Sequence, residues 1–418
     1  MAVTSSLVQQ PDSVPSVPST EAPVVEQDET YDARGVAVAA SAHFAHDLYP
    51  SFIGPLVPAI QDKLGISLAM ASLMIPAQQF PSVLQPFIGL VADRTSRRWF
   101  VVLSPGVAGV SLSSIGLAPN IVVVLMLLLI SGLASATFHA PAVALVGEFG
   151  GRRMGRAMSL FMAGGELSRT VGPLVITGAI ALFTLEGSFV VMAFGLAASV
   201  ILYFTLDTEA TDARRMAAPK IDIKPLLRAR RRPIAGILAF SIITGIATTP
   251  FHFFLVELLV EKGRGEWYGG IALSTVFGAG IVGGLVGGNL SDRLGRRALL
   301  ATLTVLTPPL LYAYLWIENG SWWVLPILAI AGGVTMAPRS VILATASEIL
   351  PEARGPMAGL LLALGFVSMS IAALAFGAFA DAIGIEDAYW YVPAIWFLAL
   401  PAVLLLPRSG DRLASAAT

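Results

Sequence analysis

The amino-acid sequence predicts an all-α membrane protein, with twelve transmembrane helices in two six-helix bundles related by pseudo-symmetry. Three observations lead there. Of 418 residues, 56% are hydrophobic and only 13% are charged, where an ordinary soluble chain carries roughly 25% charged residues. The apolar residues fall into twelve runs, each long enough to cross a hydrocarbon core of about 30 Å as a helix. Landmarks of the first half recur in the second at a shift of 199 or 200 positions.

In chain order, residues 1–30 are rich in Pro, Ser, Val and acid and hold no Lys or Arg. A secretory signal needs a basic start followed by an apolar run, so residues 1–33 read as a disordered cytoplasmic tail. The first six spans are expected at 36–61, 67–91, 99–117, 121–147, 157–183 and 188–206. The second six are expected at 234–260, 268–290, 298–317, 322–347, 355–380 and 388–407. Lipid offers no partner to free backbone groups, so these runs must be helices rather than open strands. Residues 34–206 and 234–407 make the two bundles. Residues 207–233 form a cytoplasmic linker with Lys220, Lys224 and six Arg, and 408–418 a cytoplasmic tail. Pro50, Pro55, Pro58, Pro76, Pro81 and Pro86 remove backbone donors and should kink the first two spans. Gly280, Gly284 and Gly288 read as a small-residue stripe for close helix packing, and Trp267, Trp322, Trp323 and Trp390 as anchors near span ends.

Orientation follows from basic residues. With the N-terminus inside, the inner loops and linker hold 18 Lys or Arg, among them Arg94, Arg97, Arg98, Arg152, Arg153, Arg156, Arg293, Arg296, Arg297 and Arg354. The outer loops hold 3, namely Lys63, Lys262 and Arg264. This asymmetry places both termini in the cytoplasm and the chain in the inner (plasma) membrane. A net charge of −1 without a basic surface excludes nucleic acid as a partner. The absence of Cys excludes disulfides, thiolate metal sites and a cysteine nucleophile.

The repeat has its own chemistry. Gly89-Leu-Val-Ala-Asp93-Arg94-Thr-Ser-Arg97-Arg98 follows the second span, and Gly288-Asn-Leu-Ser-Asp292-Arg293-Leu-Gly-Arg296-Arg297 follows the eighth. Pro50 with Pro250, Gly132 with Gly332, Glu148 with Glu348 and Gly155 with Gly355 match at a shift of 200. Parallel six-helix repeats imply a site near the bilayer midplane at the shared interface, opened alternately to each side. The acid of each loop can reach a helix N-terminus or a neighbouring Arg and so hold one end closed. Plain anchoring by the Arg cluster is the alternative. Gly89, Asp93, Arg94, Arg98, Gly288, Asp292, Arg293 and Arg297 are therefore candidate gate residues.

The duplicated loop pattern resembles that of the major facilitator superfamily, and the two-times-six layout covers residues 36–407. Ser96 stands where that family usually has Gly. A narrower resemblance rests on His43-Phe-Ala-His46-Asp47, Phe138-His139, Gly164-Gly165 and Gly172-Pro173-Leu174, which are similar to the fosmidomycin-resistance family of efflux transporters. That family continues its fourth-span His with Pro-Glu, whereas this chain has Ala140-Pro141. It carries Asn and Ser where Glu166 and Arg169 stand here. These departures fall on cavity positions, so kinship does not transfer the cargo. The Gly172-Pro173 pair also resembles part of the fifth-span motif of drug antiporters.

Ionisable groups inside spans are the functional candidates, since one at a span's centre costs roughly 2.5–3.5 kcal/mol unless wet or paired. His43, His46 and Asp47 lie at i, i+3 and i+4 on one face of the first span. Beside an acid, His titrates near physiological pH, so these three and Glu166 are proton-coupling candidates. Interhelical hydrogen bonding and a metal site drawn from His43, His46 and Asp47 are the competing readings. Glu166 and Arg169, one turn apart, can pair with each other; alternatively a proton on Glu166 releases Arg169 to a substrate anion. His139 and Arg339 sit at equivalent depths of the fourth and tenth spans, which face each other in the resembled superfamily. With Arg169, Gln78 and Gln85 they are the substrate-binding candidates. Arg339 offers a planar fork suited to carboxylate, phosphonate or phosphate, unless it pairs with an acid of its own bundle.

These expectations describe a monomer without cofactor or resident metal, working on a small molecule, protons and the lipid bilayer. Neither H-E-x-x-H nor G-x-S-x-G occurs, which argues against an intramembrane enzyme. The function expected is proton-coupled secondary transport of a small anionic or zwitterionic organic solute, in the direction of efflux. Uptake of an organic anion and transport of a metal ion through His and carboxylate groups stay open.

Overall fold

Helices occupy the predicted apolar runs wherever the structure, a computed structural model, describes them. It describes residues 31–85, 87–88, 95–208, 228–317, 321, 323–350 and 354–407. Most of both tails and of the linker, together with Pro86, Gly89, Asp93, Arg94 and Trp322, lie outside the described residues. Among the described residues there is no strand, and nine helical segments are long and apolar enough to cross a membrane. One of these, Met154–Thr205, contains both the fifth and the sixth span.

The first span is broken at Pro50 and the second at the turn that holds Pro81, whereas Pro55 and Pro58 lie within a continuous helix. The first runs as Ala33–Asp47, a 3-10 turn at Pro50–Phe52 and then Ile53–Leu64. Its start is fixed by Asp32, whose carboxylate accepts from the Gly35 amide at 2.9 Å. The second runs as Leu68–Ala71, Met74–Gln79 and a 3-10 turn at Phe80–Leu84. The third and fourth are Arg97–Ser113 and Ile121–Gly150; the fifth is Met154–Gly187 and the sixth Met192–Thr205. The seventh is Arg231–Phe253, followed by the short helix Leu255–Glu261. The eighth to eleventh are Glu266–Leu294, Arg296–Trp316, Val324–Ile349 and Arg354–Ile383. The twelfth is Ile385–Ile395 with the later turn Leu400–Leu404.

The repeat in sequence is a repeat in contacts. Arg97 pairs with Glu148 at 2.5 Å, and Arg296 with Glu348 at 2.9 Å. Arg98 donates to the Leu206 carbonyl at 2.9 Å, and Arg297 to the Leu406 carbonyl at 3.1 Å. Each guanidinium thereby satisfies a carbonyl at the C-terminal end of its bundle's last span. At the opposite end Lys63 meets Glu186 at 2.8 Å and Lys262 meets Glu386 at 3.6 Å. In the second gate loop Asp292 takes the neighbouring Arg296 at 2.7 Å, while Arg293 is exposed and Gly288 half-buried. All these contacts stay within one bundle. The two loops differ at one backbone position: Gly295 has φ 90°, whereas Ser96 is extended at φ −86°. A side chain at positive φ is strained.

Core packing shows where the bundles meet. At the Arg-rich end each half has its own buried cluster, one with Val36, Val101, Phe138, Leu145 and Phe161, the other with Ile237, Phe240, Leu300, Val341 and Met357. Towards the other end a single cluster draws on both halves, with Phe52, Leu56 and Ile60 against Phe254, Leu255, Leu259 and Phe376. Two polar links reinforce that closure. Asp381 of the eleventh span accepts from the Leu68 and Ala69 amides at 2.9 and 3.0 Å, capping the first turn of the second span. With its amide nitrogen turned to Glu257, Gln61 donates to both carboxylate oxygens at 3.2 and 3.0 Å. The bundles are thus joined at the Arg-poor end.

The expected glycine stripe is corrected. A Cβ on Gly280, Gly283 or Gly287 would collide with Met336, Gly333 or Ala337 of the tenth span, whereas Gly284 has nothing within 4 Å and Gly288 only Ser340 at 3.9 Å. Close packing follows spacings of three and four residues, because strict steps of four drift around a helix.

Candidate functional site

Asp47 is the node of the site. It ends the first helix, Ala33–Asp47, beside the break at Pro50 and is almost fully buried. Its Oδ2 lies 3.2 Å from His43 Nε2, one turn back on the same helix, and its Oδ1 lies 3.3 Å from His139 Nε2 of the fourth span. Arg169 of the fifth span approaches Oδ2 to 3.9 Å. Three helices therefore converge on one carboxylate.

Both imidazoles are held from behind. His43 Nδ1 lies 2.8 Å from the Phe161 carbonyl and His139 Nδ1 2.9 Å from the Ser135 carbonyl. A carbonyl oxygen only accepts, so each Nδ1 donates. His43 also stacks on the Phe161 ring at 4.1 Å. This sandwich exists because position 165 is glycine: a Cβ there would stand 2.5 and 2.6 Å from His43 Cε1 and Nε2. Gly164 likewise brings the fifth span against the Ala40 carbonyl, and Gly172 against Ser51 and the Leu48 carbonyl. The glycines quoted for the family resemblance are thus the close approach of the fifth span to the first.

His46 takes a different course. Its Nε2 meets Ser135 Oγ at 3.0 Å, its ring stacks on Phe138 at 4.5 Å, and its Nδ1 has no hydrogen-bond partner among the described residues. It shares Ser135 with His139 but does not reach Asp47.

From Asp47 the charged contacts continue across the molecule. Arg169 Nη1 lies 3.6 Å from Glu166 Oε1, and Arg339 of the tenth span donates to the same oxygen at 3.0 Å. Arg339 thus pairs with an acid of the other bundle, not of its own. His139 and Arg339 do not contact each other; Asp47, Arg169 and Glu166 stand between them. The side chains of His139, Arg169 and Arg339 are 31%, 33% and 46% exposed, so these contacts line a cleft rather than a sealed core. Two carboxylates and two guanidiniums balance, and any proton on an imidazole makes the cleft positive.

The ligating atoms of His43, Asp47 and His139 lie within 4.8 Å of one another. A divalent cation there would face the Arg169 guanidinium, and like charges at that range repel strongly away from bulk water. His46, part of the metal reading from sequence, has its Nε2 directed at Ser135 instead.

Gln78 is buried with its Oε1 unpartnered among the described residues, and Gln85 is half-buried. The Gln78 backbone packs against Gly132, and neither glutamine bonds to the Asp47–Arg339 series. Sequence reasoning passed over Ser135 and the Phe161 carbonyl, and it placed His252 inside a span without giving it a role. The last is tilted against Phe277 at 5.2 Å and lies within electrostatic reach of Arg169, Arg339 and Glu166. Its position inside a span was the available signal.

A family model described as Major Facilitator Superfamily matches residues 39–266, more than half of the chain. The uncharacterized MFS-type transporter YfnC of Bacillus subtilis (strain 168) is 24% identical over 383 residues, covering 88% of this chain and 91% of that protein. The fosmidomycin resistance protein of Escherichia coli (strain K12) is 24% identical over 365 residues, covering 83% and 86%. Among solved structures, a bacterial homolog of the human lysosomal transporter Spinster superposes with a TM-score of 0.74 in an inward-facing, unoccupied conformation, at 14% identity over 90% of this chain and 98% of that one. Its occupied form gives a TM-score of 0.75 at 14% identity, over 90% and 96%. At such identity the likeness concerns the fold alone.

Proposed function

The chain belongs to the Major Facilitator Superfamily, a family of transporters rather than enzymes, and on that premise we propose that it is a proton-coupled secondary active transporter of a small anionic or zwitterionic organic solute. It works as an exporter by alternating access, as a monomer in the inner (plasma) membrane with both termini cytoplasmic. The 18 to 3 distribution of Lys and Arg supports that orientation. The closure at the Arg-poor end then faces outward, and the cleft opens to the cytoplasm.

One observation carries the reading. An unbroken series of ionisable contacts runs from His43 and Asp47 in one bundle to Arg339 in the other, through Arg169 and Glu166. A proton added anywhere along it changes the attraction between the bundles. It also changes which guanidinium forks are free for a substrate oxyanion. The name of the fosmidomycin-resistance relative and the Gly172-Pro173 pair support efflux.

A second reading comes from the Glu166–Arg339 pair itself. For a simple anion, protonation of Glu166 frees the forks, so proton and anion bind together and travel together, which is uptake. For a zwitterion, the substrate cation takes the place of a proton on a carboxylate, and the two exchange. Purified protein in liposomes enclosing a pH-sensitive dye distinguishes them, with fosmidomycin and small carboxylates and phosphonates as probes. Proton movement against substrate supports the exporter, and movement with substrate supports uptake. Saturable flux that ignores an imposed pH gradient removes coupling altogether.

A further inference from the structure

We propose that His43, Asp47 and His139 form a two-proton site, with one proton held between Asp47 and each imidazole, and that Arg169 takes over the Asp47 carboxylate when the site empties. This deepens the coupling reading above and rests on it for its role in transport. The count itself comes from hydrogen-bond donors and acceptors alone. His43 Nδ1 gives its hydrogen to the Phe161 carbonyl, and His139 Nδ1 gives its hydrogen to the Ser135 carbonyl. Each ring, if neutral, then presents a lone pair at Nε2. Both Nε2 atoms nevertheless lie beside carboxylate oxygens of Asp47, at ion-pair distances of 3.2 and 3.3 Å. A lone pair against a carboxylate oxygen repels. Each contact is therefore favourable only with a proton on one of its two atoms, the imidazole nitrogen or the carboxyl oxygen, and two contacts need two protons.

The filled site is held together by those protons: two imidazolium rings against one carboxylate, or one such ring and a carboxylic acid donating to the other. When both protons leave, Asp47 carries a full negative charge opposite two lone pairs. The nearest cation is Arg169, whose Nη2 is already 3.9 Å from Oδ2. Its approach to Asp47 draws Nη1 away from Glu166, leaving that acid to Arg339 alone. Emptying the proton site thus tightens the pair between bundles, and filling it loosens that pair. The charged and titratable groups facing the cluster are His46 on its own span, Glu166 and Arg169 on the fifth, Arg339 on the tenth through Glu166, and His252 on the seventh. His46 is tied to Ser135 and does not close either contact. This assigns His139, placed with the substrate groups by sequence, to the proton site.

Long-range proton–nitrogen NMR on protein labelled with 15N-histidine tests the count, with the rings assigned through His43→Gln and His139→Gln. From about pH 5 to about pH 8, both rings are expected to keep hydrogen on Nδ1 throughout, and at the acid end at least one to gain a second hydrogen on Nε2 while the other does so too or accepts there from the Asp47 carboxyl. Asp47→Asn is expected to remove the second hydrogen from Nε2 of the two rings over that range, and Asp47→Glu to restore it. A neutral ring carrying hydrogen on Nε2 overturns the proposal, as does an unchanged pattern of Nε2 hydrogens in Asp47→Asn. About one equivalent of zinc retained by protein purified without chelator would also overturn it, in favour of a metal site. Should liposome flux ignore the pH gradient while the tautomers are as stated, the coupling reading fails and the two-proton site stands. Should flux follow the gradient while a ring carries Nε2–H alone, the reverse holds.

Discussion

Arg339 of the tenth span and Glu166 of the fifth form an ion pair of 3.0 Å that joins the two bundles. With Arg339 46% and Glu166 23% exposed at the side chain, solvent screens the pair. Its net contribution to folding is about 1 kcal/mol or less. A charge left alone at that depth of a span costs more, roughly 2.5–3.5 kcal/mol. The pair therefore does little for stability beyond cancelling its own burial, and its position between the bundles is what needs a functional explanation.

Replacing Arg339 by Gln is expected to abolish binding of anions while leaving expression and melting temperature close to wild type. Arg339→Lys keeps the charge but not the planar fork, and should retain only part of the affinity, a loss of about tenfold. A thermal-shift series over small carboxylates and phosphonates reads both. Unchanged affinity in Arg339→Gln would remove this residue from the substrate site.

Glu166→Gln removes the only acid that Arg339 contacts among the described residues and one of two that Arg169 contacts. Both guanidiniums are then offered to solvent and substrate without competition. Anion affinity is expected to rise about tenfold, the value of one charge-assisted contact, while drive by a pH gradient falls. Calorimetric titration with the best anion of the thermal-shift series checks the first effect, and liposome flux the second. Weaker binding in this variant would mean that Glu166 holds Arg339 in position for substrate rather than competing with it.

How much of this was legible in the sequence can be argued residue by residue. The shift of 199 or 200 anticipates the paired clamps at Arg97–Glu148 and Arg296–Glu348, because duplicated helices bring duplicated neighbours together. Spacing along one helix places His43 four residues before Asp47, and the contact is there. The same spacing could not say that His46 turns to Ser135, since helical periodicity gives a face and not the partner packed against it. Nor could it find the Phe161 carbonyl, which belongs to every residue alike. Arg339 shows the same limit across bundles: the repeat matches it to His139, but nothing in the repeat names Glu166 as its acid. The glycine stripe holds at Gly280 and then shifts by one residue of helical phase, to Gly283 and Gly287.

Gly165→Ala isolates the packing behind His43. Alanine favours the helix by about 1 kcal/mol, but its methyl would stand 2.5 Å from the ring. Overpacking of that kind costs about 1–3 kcal/mol, so the clash outweighs the propensity. The ring must leave either the Phe161 carbonyl or Asp47. A slightly lowered melting temperature with a loss of pH-gradient response similar to that of Asp47→Asn is expected. A fully coupled Gly165→Ala protein would show that the His43–Asp47 contact is dispensable.

The closed end offers a test that the chain's composition makes simple, because no native cysteine competes for a thiol reagent. Asp381 accepts two backbone hydrogen bonds from the start of the second span, and opening that end must break both. Nearby Ser72 is fully buried, packed beneath Gly377 of the eleventh span. In Asp381→Asn the amide oxygen accepts from a backbone amide without negative charge, and its nitrogen cannot accept. Hydrogen bonds to charged groups are worth about 1.5–3 kcal/mol each, so the closed population should drop by about tenfold or more relative to the open one. Labelling of Ser72→Cys by a membrane-impermeant maleimide should be slow in the parent and faster by a similar factor when Asp381→Asn is added. Equal labelling rates would mean that the apolar cluster of Leu56, Ile60, Leu255 and Leu259 holds the end shut without help from Asp381.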